Sequence, residues 1–205
     1  MREPKLREID GRAFLRRLHP MVQVYAEAMS PPYEQLPGRH TIMARHTAHP
    51  RFRAMVAERP RPVPGLPGAV RGFAYGFHGE RGQWWHDVVY EALVREGGPA
   101  HAAHWMDDSF EVAELHVHPD AQGRGLGRGL LSSLCAGRTE RTVVLSTLDG
   151  ERETPARRLY RSVGMVDLLT AFDFPGGGPR YAVMGGALPL SEPLAEYRRP
   201  ASSNS

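Results

Sequence analysis

Apolar positions along the chain follow two rhythms, one helical and one extended. Between residues 11 and 30, Phe14, Leu15, Leu18, Val22 and Tyr25 recur at steps of one, three, four and three, a single stripe along a helix. Pro20 predicts a kink or break within it, and Ser30-Pro31-Pro32 a stop. A second helical stretch is expected over 38–58, broken near Pro50. Prolines 60, 62, 64 and 67 then make a stiff loop. From Ala69 to His78 the rhythm becomes alternation, with Phe73, Tyr75 and Phe77 on one face of a strand. Residues 84–105 read as partly helical and close on Asp107-Asp108.

The second half alternates strand and helix. Strands are expected over 110–118, 142–147, 165–170 and 181–184, the last two joined by the loop FPGGGP. Helices are expected over 125–137, with Leu126, Leu130, Leu131, Leu134 and Cys135 as the apolar face, and over 154–163. Pro155 suits the first turn of the latter, and Gly164 its stop. There is no internal repeat. This order predicts a mixed α/β layer fold. We expect one domain over 1–192, with variable helices over 11–58, a core over 69–185 and a loose tail over 193–205.

The strand FEVAELHVH carries a phase slip. Phe110 and Val112 are apolar at even positions, Leu115 and Val117 at odd ones. A period of two changes phase only through an extra residue, so a β-bulge is expected at Ala113-Glu114. It puts Glu111, Glu114 and His116 on one polar face.

Composition removes several classes. The 26 basic and 23 acidic residues give a net charge of +3, and the pI is about 9.3. Lys5 is the only lysine, which reads as the coding bias of a GC-rich genome rather than a nucleic-acid footprint. The charges interleave, with no basic stripe carrying exposed aromatics, so no nucleic-acid partner is expected. The first ten residues are charged throughout and no long uncharged apolar run follows, so we expect a cytoplasmic protein with no membrane partner. Cys135 is the single cysteine, and the ten histidines form no metal-binding pair, so no metal is expected. Trp84-Trp85 reads either as core cover or as the wall of a substrate pocket.

The most informative stretch is HPDAQGRGLGRGLL, residues 118–131, between a strand and a helix. Glycines let the backbone approach a ligand, and the helix start offers unpaired N–H groups and a positive dipole end. The result suits a pyrophosphate, with Arg124 and Arg128 as added donors. A Walker loop is excluded because no lysine is present there, and the dinucleotide fingerprint because Leu130 stands where its third glycine belongs.

Gln122, Gly125 and Gly127 instead form Gln-x-x-Gly-x-Gly, and Ala156 to Met165 reads A-x-x-L-Y-x-x-x-G-M. In this order and spacing, the two motifs resemble the GCN5-related N-acetyltransferases (GNAT), which move an acyl group from acyl-CoA to an amine. The resemblance implies a mostly antiparallel twisted sheet, splayed between two central parallel strands and flanked by helices on both faces. It implies acetyl-CoA as co-substrate, a primary-amine acceptor, a small molecule before a protein, and direct attack in a ternary complex. The coenzyme would lie along Leu115, His116 and Val117, with the thioester oxygen at the Leu115 N–H. Its pyrophosphate would meet Gln122, Gly123, Arg124, Gly125, Leu126, Gly127 and Arg128. Ser146, Arg157 and Tyr160 would complete the site.

For chemistry, Glu111 is the first candidate for the base, eleven residues before Gln122, and Glu114 the second. His116 and His118 are of the right chemical type. Tyr160 is the candidate acid for the leaving thiolate. Where the family often keeps Asn, this chain has Glu153. The competing reading is a non-catalytic acyl-CoA-binding module, which would keep the glycine loop without needing Glu111 or Tyr160. A homodimer is left open.

Overall fold

The computed structural model describes residues 3–60, 68–150 and 152–191; the expected tail beyond 193 and most of the proline loop lie outside them. The chain runs β1 (Lys5–Ile9), α1 (Gly11–Met29), α2 (Leu36–His46), β2 (Arg53–Arg59) and β3 (Ala69–His78). It continues with α3 (Trp84–Gly97), α4 (Pro99–Met106), β4 (Ser109–Val117) and α5 (Leu126–Cys135). It closes with β5 (Thr142–Leu148), α6 (Pro155–Arg161), β6 (Val166–Phe172) and β7 (Tyr181–Ala187).

The strands form one sheet in the order β1-β2-β3-β4-β5-β7-β6. Every neighbouring pair is antiparallel except β4–β5, which is parallel. That pair is short: Ser109, Phe110 and Glu111 lie against Thr142, Val143 and Val144, and the strands then part. Beyond Glu111, β4 keeps its partner β3, while β5 stays paired with β7. The expected splayed α/β sheet is therefore present.

Alternation along the strands sorts the core. Phe110, Val112 and Val117 share a face with Val143, Leu145, Ala182 and Met184, covered by Leu130, Leu131 and Leu134 of α5 and by Tyr160 of α6. On the other face, α1 and α2 cover β1 to β3 through Phe14, Leu18, Met21 and Met43. Helices α3 and α4 cover β5, β6 and β7 through Val89, Leu93, Ala102 and Met106. Between these two helical covers, β4 turns its polar residues to the same face. Cys135 sits in the α5 core as expected, where burial pushes its thiol up to about 12.

Several sequence expectations change. Residues 53–58, expected as helix, form β2, because AMVA is buried on both faces and a short apolar run suits either element until a partner strand pairs with it. The charged N-terminal stretch forms the edge strand β1, which nothing in its pattern announced. Helix α1 runs through Pro20 unbroken; burial of Phe14, Leu18, Met21, Val22 and Tyr25 outweighs the roughly 3 kcal/mol an interior proline costs. Asp10 caps it, accepting from the Ala13 N–H at 2.7 Å. Leu15 lies off the buried stripe and is 46% exposed. The stretch over 84–105, expected to be partly helical, holds two helices, divided where Gly98, at φ 84°, precedes Pro99.

Candidate active site

The bulge is where the alternation placed it. Tyr75 faces Glu114 and Gly76 faces Val112, so Ala113 is the extra residue. Leu115, just beyond it, joins the α5 side of the core, and the following stretch of β4 has no β5 partner. The phase change brings Glu111, Glu114 and His116 to one face, as expected.

Their surroundings differ sharply. Glu111 is fully buried beside Ser109 and Gly79, and its Oε1 has no hydrogen-bond partner. Burial, then the negative charge of Asp87, raises its carboxyl well above the ordinary 4.5. It is held neutral. Glu114 is also buried, but accepts from Arg39 Nη1 at 2.7 Å and from His116 Nε2 at 2.5 Å. Burial opposes its ionisation, yet the hydrogen bond from His116, the electrostatic pull of that ring and the charge of Arg39 prevail and hold its carboxyl below the usual value. Of the two acids, the first candidate is the neutral one and the second the ionised one.

Arg39 escaped the sequence reading. It also donates to Tyr25 Oη at 3.2 Å and lies 4.7 Å over that ring. His46, two turns along α2, is hydrogen-bonded through Nδ1 to Tyr75 Oη at 3.0 Å. Burial, then His49, lowers His46 to about 4, so it is neutral. The available signal was weak: Arg39, Met43 and His46 sit at helical spacing on the inner face of α2.

At the end of β4, the glycine loop is built as its sequence suggests. Gln122 Nε2 donates to the Val117 carbonyl at 2.9 Å and folds the loop back on the strand. Gly123 and Gly125 take φ of 72° and 78°, a region glycine enters without strain. Gly125 caps α5 with no side-chain cap, and the first helical bond runs from Gly129 N to Gly125 O. The N–H groups of Leu126, Gly127 and Arg128 are therefore free to meet an anion. Arg124 is exposed, and Arg128 donates to Ser162 at 2.7 Å with its Nη1 unpaired.

Helix α6 packs against this turn: a Cβ on Gly127 would stand 3.3 Å from Leu159. Its neighbour Tyr160 is buried, and burial, then the charge of Glu114, keeps the phenol protonated. Ser146, on β5 past the parting point, accepts from Trp85 Nε1 at 3.2 Å. Trp85 thus covers the sheet, while Trp84 is 59% exposed and lies 5.7 Å from Phe174. Arg157 is paired within the fold: it binds Asp167 through Nε at 3.1 Å and Asp149 through Nη1, tying α6 to the segment after β5 and to β6. Among the described residues no cluster of three or more His, Cys, Asp or Glu side chains could hold a metal, and no helix is long and apolar enough to cross a membrane.

The sheet opens between two parallel strands, with the glycine turn that starts α5 beside the mouth, the arrangement that the acetyltransferase resemblance implies. Comparison with known proteins agrees. Residues 80–165 match the family model described as an acetyltransferase (GNAT) domain. The chain is 36% identical over 192 residues to the GCN5-like protein acetyltransferase Rv2170 of Mycobacterium tuberculosis, covering 85% of this chain and 93% of the relative. Among solved structures, the ribosomal-protein-S18-alanine N-acetyltransferase of Escherichia coli superposes with a TM-score of 0.58 at 16% identity, over 96% of this chain and 99% of that one. The Salmonella typhimurium protein yncA, solved with its cofactor acetyl-CoA, superposes with a TM-score of 0.54 at 16% identity, over 97% and 98%. The chain belongs to the GNAT family of acetyltransferases.

Glu111 has a measurable consequence. Its folded carboxyl titrates above its unfolded value, so its contribution is fully present below the unfolded value and is lost as pH rises through the folded one. Glu111→Gln keeps the shape and removes the titration. The variant is expected to melt higher than wild type near pH 8, with a smaller gain near pH 5. Melting curves across pH test this; an equal difference at both ends contradicts a neutral Glu111.

Proposed function

We propose that the protein is an N-acetyltransferase that moves the acetyl group of acetyl-CoA to a primary amine in a ternary complex. One observation carries the reading. The parting of β4 from β5 after Glu111 leaves Leu115 to Val117 without a β5 partner, between the glycine turn on one side and ionised Glu114 on the other. Pantetheine in that gap would set its thioester beside the bulge, with the Leu115 N–H positioned for the oxyanion. The pyrophosphate would rest on the N–H groups that open α5, with Arg124 and Arg128 beside it. Holding both substrates in one cleft supplies much of the rate.

The proton leaves the acceptor on the Glu114 side of the site. Glu111 is neutral and sealed, whereas Glu114 is charged and linked to His116. Tyr160, whose phenol burial keeps protonated, would supply a proton to the departing thiolate. Tyr160→Phe is expected to lower kcat by about 10–100-fold with little change in KM for acetyl-CoA. Wild-type turnover in that variant removes Tyr160 from the mechanism.

For the acceptor, the name of the Mycobacterium relative favours a protein amine over the small molecule that the sequence suggested. The test is thiol release from acetyl-CoA against lysine-bearing proteins and peptides, polyamines, amino sugars and aryl amines, with CoA binding followed by calorimetry. Saturable binding and amine-dependent release support the reading. Binding with no release in any arm favours a non-catalytic acyl-CoA module, and no binding ends both.

A further inference from the structure

Both oxygens of the Glu114 carboxylate are engaged. Arg39 holds Oε1 and His116 holds Oε2, and Arg39 is itself fixed by Tyr25. A carboxylate paired with a guanidinium is a weak proton acceptor, because gaining a proton would break a buried ion pair. The imidazole is placed differently. In the neutral ring, an Nε2 that faces a carboxylate is the donor, which leaves Nδ1 as the acceptor. Among the described residues none hydrogen-bonds to His116 Nδ1, and that atom is not among the sealed, unpaired ones. The ring is clamped edge-on to Tyr25 at 5.1 Å, with Phe73 at 5.5 Å.

We propose that His116 Nδ1 is the atom that accepts the amine's proton, with Glu114 orienting the ring and Arg39 fixing Glu114. The proposal rests on the N-acetyltransferase reading. The amine nitrogen attacks the thioester carbon and forms the C–N bond, and its proton passes to Nδ1. The tetrahedral intermediate collapses, the C–S bond breaks, and the thiolate takes the proton of Tyr160. The phenolate recovers a proton from the imidazolium through solvent, leaving the amide and free CoA thiol. The charged and titratable groups around the imidazole are Glu114 on its own strand, Arg39 and His46 from α2, Tyr25 from α1 and Tyr75 from β3. Tyr160 from α6 and Tyr181 from β7 lie within the field of Glu114.

Two measurements on the full chain decide it. Long-range proton–nitrogen NMR of the histidine rings is expected to show His116 as the Nε2–H tautomer, with that preference lost in Glu114→Gln. A proton on Nδ1 overturns the proposal, with or without an identified acceptor. With the best amine of the panel, His116→Gln is expected to lower kcat by about 100-fold or more and to remove the acid limb of the pH profile, with CoA binding intact. His116→Asn serves where the first variant does not fold. Glu114→Gln keeps a displaced limb, and Arg39→Lys retains more activity than Arg39→Met. If Glu114→Gln abolishes the limb while His116→Gln keeps it, the carboxylate is the base and the proposal fails. Loss of CoA binding in the wild-type protein instead defeats the transferase reading and leaves the tautomer result standing.

Discussion

Gly125→Val is expected to weaken acetyl-CoA binding about 100-fold or more, roughly 2.7 kcal/mol, measured by calorimetry. Gly125 sits at φ 78° at the start of α5, and a β-branched residue cannot hold that conformation without strain of about 1–3 kcal/mol. No neighbour crowds the position, since a Cβ there would meet nothing within 4 Å. The penalty is therefore conformational, and the chain relieves it by rotating the turn. Rotation moves the N–H groups of Leu126, Gly127 and Arg128 away from a common focus, which is what an anion needs. Gly125→Ala is expected to fall between wild type and Gly125→Val. Unchanged affinity in the valine variant removes the pyrophosphate from this turn.

Gly76→Ala is expected to destabilise the fold by about 3 kcal/mol, lowering Tm by roughly 6–12 °C. Gly76 faces Val112 beside the bulge, and a Cβ there would come within 2.7 Å of the Phe110 ring and nearer still to the Glu111 carbonyl. Phe110 is fully buried and carries the Arg138 guanidinium 4.1 Å over its ring, so it cannot swing aside. The carbonyl is fixed backbone. Relief requires β3 to move away from β4, and that motion displaces the bulge and Glu114 with it. Activity is expected to fall along with stability; a melting point within a degree of wild type would show that the two strands have more room than their spacing allows.

Two backbone features of the candidate site were legible because they leave local marks. The bulge showed as a slip in alternation between Val112 and Leu115, since a pleated strand cannot change faces otherwise. The turn before α5 showed as glycines at positions that adopt positive φ, between a strand and an apolar helix. Cys135 read as core from its place on the α5 stripe. By contrast, residues 53–58 read as helix because four apolar residues in a row fit either period, and pairing with β1 and β3 decided the matter. Arg157, a candidate ligand contact by its motif, is paired with Asp149 and Asp167, eight and ten residues away, through strand and turn geometry that the sequence pattern does not show.

By itself, the sequence determined the bulge and the glycine turn, both set by residues close together in the chain, and its two motifs determined the family and, through the resemblance, the splayed sheet. What it could not rank was the pair Glu111 and Glu114, which share a strand, a face and a residue type. Their protonation depends on what packs against them: Gly79 and the Asp87 charge for one, Arg39 and His116 for the other. Arg39 reaches Glu114 across 75 residues of sequence. The ionisation of a buried acid is set by desolvation and by the charges within a few ångströms of it, and only the tertiary fold chooses those neighbours.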